Sequence, residues 1–92
     1  DDGGWERYDT DAAEFLLRRL EGAPEGRPVA VPAGGPRILL CTRGSALVRA
    51  AEQEQMLGRG QALWLSADDR DITVASQEAG TQLFLAGDGL DV

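Results

Sequence analysis

The stretch Arg37-Ile38-Leu39-Leu40-Cys41-Thr42-Arg43-Gly44-Ser45-Ala46-Leu47-Val48-Arg49-Ala50 decides the fold. Arg37 to Thr42 is an apolar run of strand length. Arg43-Gly44 is a two-residue connection with glycine where a positive φ costs little. Ser45 to Ala50 then resumes the apolar pattern through Leu47 and Val48. The spacing predicts a β-hairpin turning at Arg43-Gly44.

Working outward, the same grammar recurs. Pro28-Val29-Ala30-Val31 is a brief strand stopped by Pro32, and Gly34-Gly35-Pro36 breaks the chain. Downstream, Glu54 to Leu57, Gln61 to Ser66, Ile72-Thr73-Val74 and Thr81 to Ala86 read as short strands. Gly58-Arg59-Gly60, Asp68-Asp69-Arg70-Asp71 and Gln77 to Gly80 are the turns between them. Turn signals at roughly 8–12-residue intervals predict an all-β sandwich or barrel. Asp11 to Leu20 is ambiguous. Ala12, Phe15, Leu16, Arg19 and Leu20 fall at helical spacing, and Asp11 with Glu14 resembles a capping box. Phe15 and Leu17 alternate as a strand would. With that segment as a strand, the chain reads as a double-sheet jelly roll of about eight short antiparallel strands. Residues 1–10 read as a lead-in, 11–88 as one β domain and 89–92 as a tail. Trp5 and Tyr8 in the lead-in call for a partner surface, in this domain or in a neighbour.

Length and charge narrow the function. Ninety-two residues make one domain with one modest core. Nine basic against 16 acidic residues give a net charge of −7, which makes nucleic acid a poor partner. No apolar run exceeds the four residues of Ile38 to Cys41, so neither a membrane helix nor a signal-peptide core is expected. The absence of histidine removes imidazole acid–base chemistry, histidine zinc sites and the Ser-His-Asp and Cys-His nucleophile systems. Cys41, the lone cysteine, admits no internal disulfide and points to a reducing, cytoplasmic compartment. All basic residues are arginine and asparagine is absent, a bias in keeping with a GC-rich bacterial genome. The start at Asp1-Asp2-Gly3-Gly4 without methionine reads as a piece of a longer protein.

Ile38-Leu39-Leu40-Cys41-Thr42-Arg43-Gly44-Ser45-Ala46-Leu47-Val48, then Leu57-Gly58-Arg59-Gly60-Gln61-Ala62-Leu63-Trp64-Leu65-Ser66-Ala67, then Ile72-Thr73-Val74, resemble in order and spacing the C-terminal cupin-type domain of type I mannose-6-phosphate isomerases. Tyr8 and Glu14-Phe15-x-Leu17 resemble that family's entry into the domain. The resemblance covers residues 8 to 86 and implies a strand for the ambiguous first element. It further implies a parent enzyme of carbohydrate metabolism that interconverts mannose 6-phosphate and fructose 6-phosphate with one zinc ion. The zinc ligands and the catalytic arginine of such an enzyme lie upstream of this domain. No catalytic, cofactor-binding or metal residue is therefore carried onto this chain, and the implied partner is the upstream catalytic domain of the same protein. The chain departs from metal-binding cupins: the turn at Gly58-Arg59-Gly60 lacks their proline, and every histidine ligand is missing.

Other features have plainer readings. Asp68, Asp69 and Asp71 lack calcium-loop spacing and read as a solvated turn. Gly58-Arg59-Gly60 precedes no helix and reads as a hairpin turn rather than a phosphate cradle. Cys41 reads as a buried small hydrophobe. Arg18, Arg19 and Arg37 read as exposed strand positions paired with carboxylates, and Trp64 as core, with Leu63 and Leu65 on the other face, or as lying at an edge. The expected function is a non-catalytic domain, inactive alone, that packs on a catalytic domain. The alternatives are a stand-alone metal-free cupin-like module binding a small molecule or a protein, and a sugar-sensing barrel. A homodimer of the isolated fragment is the other partner the reading admits.

Overall fold

Leu39 and Cys41 are fully buried, while Ile38 beside them is 40% exposed. That two-residue alternation is the mark of a strand with one face on a core. It repeats along the chain, and the computed structural model is all-β over the residues it describes, 4–8, 15–32, 35–50, 53–66 and 71–88. The described strands are β1 (Glu6–Tyr8), β2 (Phe15–Glu21), β3 (Pro28–Ala30), β4 (Arg37–Arg43), β5 (Ser45–Ala50), β6 (Gln53–Gly58), β7 (Ala62–Leu65), β8 (Thr73–Ser76) and β9 (Gln82–Asp88). One sheet has the order β1-β2-β9-β4-β7 and the other β3-β8-β5-β6. All pairings are antiparallel.

The core lies between the sheets. Leu20, Leu39, Cys41, Leu65, Leu83 and Leu85 face it from the five-stranded sheet, and Ala46, Val48, Leu57 and Val74 from the four-stranded one. Each large aliphatic side chain so buried contributes roughly 1.5–3 kcal/mol. Trp5, just before β1, is fully buried, and its indole N–H donates to the carbonyl of Ala30 at 2.8 Å. Of the segment read as a lead-in, residues 5–8 thus belong to the domain, because Trp5 supplies core volume and β1 pairs with β2. The ambiguous first element is a strand from Phe15 to Glu21. Its capping-box residues Asp11 and Glu14 lie outside the described residues. β1 brings the strands to nine among the described residues, against about eight expected.

The expected hairpin at Arg43-Gly44 is a corner instead. β4 pairs with β7 and β9, whereas β5 pairs with β6 and β8, so the chain passes between sheets at Gly44. A two-residue glycine link reads the same in sequence whether the next strand pairs back or turns away. Here the strand pairing decides, setting Leu39 and Cys41 on one sheet opposite Ala46 and Val48 on the other. Gly44 has φ +72°, and a Cβ there would meet Thr81 Oγ1 at 2.4 Å. Buried Thr81 braces the corner: its hydroxyl lies 2.8 Å from the Glu78 carbonyl and accepts the Ser45 N–H at 3.4 Å. The Gln77 N–H donates to the Ser45 carbonyl at 2.9 Å.

Gly58-Arg59-Gly60 is likewise a corner, not a hairpin turn, since β6 and β7 lie in different sheets. The Gln61 N–H closes it onto Gly58 O at 3.0 Å with Gly60 at φ +82°, a type II arrangement. The Gly60 N–H then donates to Cys41 O at 2.7 Å, seating the chain beside β4. The two sheet-adjacent connections are β1 to β2 and β5 to β6, and the other links between successive described strands cross from sheet to sheet.

Two side chains depart from the sequence reading. Arg37 is 4% exposed rather than a surface charge. Its guanidinium donates to Gly35 O at 3.0 Å, Pro32 O at 2.7 Å and Ser66 O at 3.0 Å, tying the β3–β4 link to the end of β7. Gly87, its register partner, makes room, since a Cβ there would come within 3.2 Å of Arg37 Cγ. Trp64 is not core. Leu39 pairs with Leu63 and Arg37 with Leu65, so β7 turns Leu63 and Leu65 inward and Trp64 outward.

Gly44→Ala is expected to cost about 2–4 kcal/mol, from left-handed backbone strain plus the contact with Thr81. Urea unfolding of wild type and variant measures it; a loss under about 0.5 kcal/mol contradicts the corner assignment. Arg37→Met is expected to lose about 2–5 kcal/mol by leaving buried carbonyls without their donor. Arg37→Lys should recover only part, because an ammonium cannot span the same carbonyls.

Candidate functional site

The inner positions are the first place to look for chemistry in this fold. Among the described residues they are filled mainly by Trp5, leucine, valine, isoleucine and alanine, with Cys41 the one thiol and Arg37, Ser76 and Thr81 the buried polar side chains. The described residues contain no cluster of three or more histidine, cysteine, aspartate or glutamate side chains able to hold a metal. A cupin-type metal centre needs several converging nitrogen or oxygen donors. The inward side chains of the described residues do not supply that set, so the group and the described residues do not fit.

Cys41 is sealed where the sequence placed it. Its thiol donates to the carbonyl of Arg43 at 3.2 Å and lies 3.5 Å from that of Gly44. Burial pushes its pKa above the ordinary thiol range and the Glu78 carboxylate adds to the rise, while the Arg43 contact offsets part of it. Of the acidic turn, Asp68 and Asp69 lie outside the described residues, and Asp71 has φ +57°.

Beside β1 and β2 lies a cleft of about 510 Å³ lined by Gly4, Trp5, Glu6, Arg7, Arg19 and Glu21. Its charges largely answer one another. Arg19 hydrogen-bonds Glu6, which raises the guanidinium pKa, and it lies 3.8 Å from Glu21. An arginine held between two carboxylates offers an anionic ligand little attraction. Arg18 is half-buried and Arg19 is paired as the sequence suggested. A second depression of about 400 Å³ shares Gly4 and Glu21 and continues along Leu20 to Pro24 and Arg27 to Ala30.

The outer face of the five-stranded sheet has a different character. Register aligns Tyr8, Leu17, Ala86, Ile38 and Trp64 in one row across all five strands. The next row is Glu6, Arg19, Phe84, Leu40 and Ala62. Tyr8 and Phe84 touch across the rows, their ring centroids 6.1 Å apart, and the Arg19 guanidinium sits 5.4 Å from the Tyr8 ring centre. A third row is polar. Gln82 donates to Glu21 at 3.0 Å and accepts from the Thr42 hydroxyl at 2.7 Å, with Arg43 4.0 Å from Glu21. Trp64 is 63% exposed, and no described element lies over it. Apolar residues flanked by a polar margin form the anatomy of a contact surface. The signal was present in the sequence as Ile38, Trp64 and Phe84 alternating with core leucines, but only the register sets them side by side. On the opposite sheet the outer row of Pro28, Ala75, Leu47 and Met56 carries no aromatic side chain.

The Cys41 thiol holds its proton more tightly folded than unfolded, so its contribution to stability is full below the ordinary thiol range. That contribution falls as pH climbs through the range, about 8.5 and above. At pH 8, native protein should react with a disulfide reagent only as fast as it opens, while urea-unfolded protein reacts at the rate of a free thiol. Rapid stoichiometric labelling of native protein contradicts the burial.

No protein-family profile and no curated protein sequence match the chain. Solved structures do. Phosphomannose isomerase from Salmonella typhimurium, as a lysine-to-alanine mutant, superposes with a TM-score of 0.83 at 18% identity over 98% of this chain. The apo form of mannose 6-phosphate isomerase from the same organism gives 0.80 at 20% identity, again over 98% of this chain. In both, the match spans only 22% of the isomerase chain. A cupin superfamily protein from Desulfitobacterium hafniense gives 0.67 at 15% identity, covering 87% of this chain and 70% of that one. The chain therefore carries the cupin-type jelly-roll fold that recurs in phosphomannose isomerases, and it spans about a fifth of the length of the isomerases it resembles.

Proposed function

We propose that this chain is the non-catalytic C-terminal domain of a type I mannose-6-phosphate isomerase. The observation that carries the reading is the superposition on phosphomannose isomerase over 98% of this chain but only 22% of that one. The order of the Ile38–Val48, Leu57–Ala67 and Ile72–Val74 segments supports it from the sequence side. Aldose–ketose isomerisation needs a base to move a proton between adjacent carbons and an electrophile to polarise the carbonyl. The described inner positions hold mostly hydrocarbon, the Cys41 thiol and the buried Arg37, Ser76 and Thr81, with Arg37 and Thr81 engaged on backbone carbonyls, which suits packing rather than either task. Zinc and the proton-shuttling groups belong to the upstream catalytic domain, which is also this chain's partner, in a cytoplasmic enzyme of carbohydrate metabolism. This domain contributes a stable surface against which the catalytic part completes itself.

A second reading, a stand-alone metal-free cupin-like module that binds a small molecule or a protein, draws on the Desulfitobacterium neighbour, 70% of which is matched by this chain.

A coupled assay of mannose 6-phosphate conversion, with metal analysis, separates the readings when applied to the 92-residue chain and to the full polypeptide its gene encodes. Turnover and equimolar zinc are expected in the full polypeptide and neither in the 92-residue chain. Turnover by the 92-residue chain, or a full polypeptide without isomerase activity, overturns the proposal.

A further inference from the structure

We infer that the outer face of the five-stranded sheet, through the pair Ile38 and Trp64 at its β4–β7 edge, docks against an apolar, cation-rimmed face of a neighbouring domain on the same polypeptide. The inference rests on the reading above and names the surface and the chemistry of the contact.

Size selects the occupant. Five strands at about 4.8 Å spacing and three rows of residues about 6.6 Å apart give a face of roughly 500 Å². Contacts between domains of one chain bury about 600–1,500 Å² in total, or some 300–750 Å² per side. A stable dimer uses about 800 Å² per partner, more than this face supplies. Docking within one polypeptide tolerates the smaller area, because tethering raises the effective concentration and removes most of the cost of association.

Charge selects against a second copy. Two chains of net charge −7 meeting face to face repel. The margin beside the apolar rows carries the carboxylates of Glu6 and Glu21, answered within the sheet by Arg19 and Arg43. A basic rim on the partner suits the acidic remainder of the chain. The β4–β7 edge of the face suits burial. Trp64 and Ile38 are adjacent across β4 and β7, and a large aromatic beside a β-branched residue is the sort of anchor that dominates contact energetics. Arg19 over Tyr8, and Tyr8 against Phe84, hold the neighbouring rings in place before any partner arrives.

The opposite sheet supplies an internal reference. Met56 is 52% exposed on its outer face and, like Trp64, is readily oxidised. Hydroxyl-radical footprinting read by mass spectrometry compares both residues in the 92-residue chain and in the full polypeptide of its gene. Trp64 oxidation should fall roughly fivefold or more in the full polypeptide, with Met56 changing less than about twofold, as for a residue entering the dry core of a contact. Equal Trp64 oxidation in the two forms overturns the docking assignment, as does equal protection of Met56. Protection of Trp64 that grows with concentration in the 92-residue chain assigns the face to a second copy and also overturns it. A paired Ile38→Ser, Trp64→Ser variant should leave the thermal midpoint of the 92-residue chain unchanged while restoring oxidation of Tyr8 and Phe84 in the full polypeptide. Continued protection of those rings contradicts the inference. The same full-length samples carry the isomerase assay: activity without protection sinks the docking surface alone, and absence of activity sinks the parent reading.

Discussion

The crossing of the chain from one sheet to the other at Gly44 is the constraint on which the rest of the structure depends. It turns Leu39 and Cys41 of β4 onto Ala46 and Val48 of β5 from opposite sides of one core. A hairpin at that point would have put both strands in one sheet, side by side on one layer of the core instead of facing each other across it. The positive φ and the close approach of Thr81 leave room there for no side chain. Gly58-Arg59-Gly60 repeats the manoeuvre between β6 and β7. With the parity of each strand set at such corners, every residue is assigned to a face, and inner and outer chemistry separate.

Among the described residues the inner chemistry is mainly hydrocarbon packing. Aliphatic side chains and Trp5 fill most of this described core, and burial holds the Cys41 thiol pKa above its ordinary range. The charge that is buried, Arg37, is spent on the carbonyls of Gly35, Pro32 and Ser66 and so binds the ends of the sandwich together. The outer face of the five-stranded sheet, where a contact is proposed, sets Trp64 and Ile38 side by side at its β4–β7 edge, with a polar ladder through Gln82 at the margin. The proposed role follows from that contrast: structure inside, contact outside.

Much of the fold was legible in the sequence because strand length and two-residue alternation are local properties. The runs at Arg37–Thr42, Ser45–Ala50 and Ile72–Val74 carried them plainly. Which strands pair is not local, and that is where the reading of Arg43-Gly44 as a hairpin turn failed. Trp64 was misassigned for the same reason: in Ala62-Leu63-Trp64-Leu65 all four residues are apolar, so alternation gives no sign of which parity faces inward until β4 supplies the register. Arg37 was misread because a buried arginine satisfied by loop carbonyls leaves no carboxylate partner nearby in sequence to announce it. The outer row of Tyr8, Leu17, Ala86, Ile38 and Trp64 was not legible in the sequence, because it forms only when five strands align.

The separation of faces is tested most directly by acrylamide quenching of the two tryptophans in the dilute 92-residue chain, with Trp64→Phe isolating the signal of Trp5. The account predicts blue-shifted, nearly unquenched emission from Trp5 and a red-shifted, freely quenched contribution from Trp64. A shielded Trp64, or a Trp5 as open to quencher as free indole, would show that the strands face the other way and would contradict the division of inner from outer chemistry.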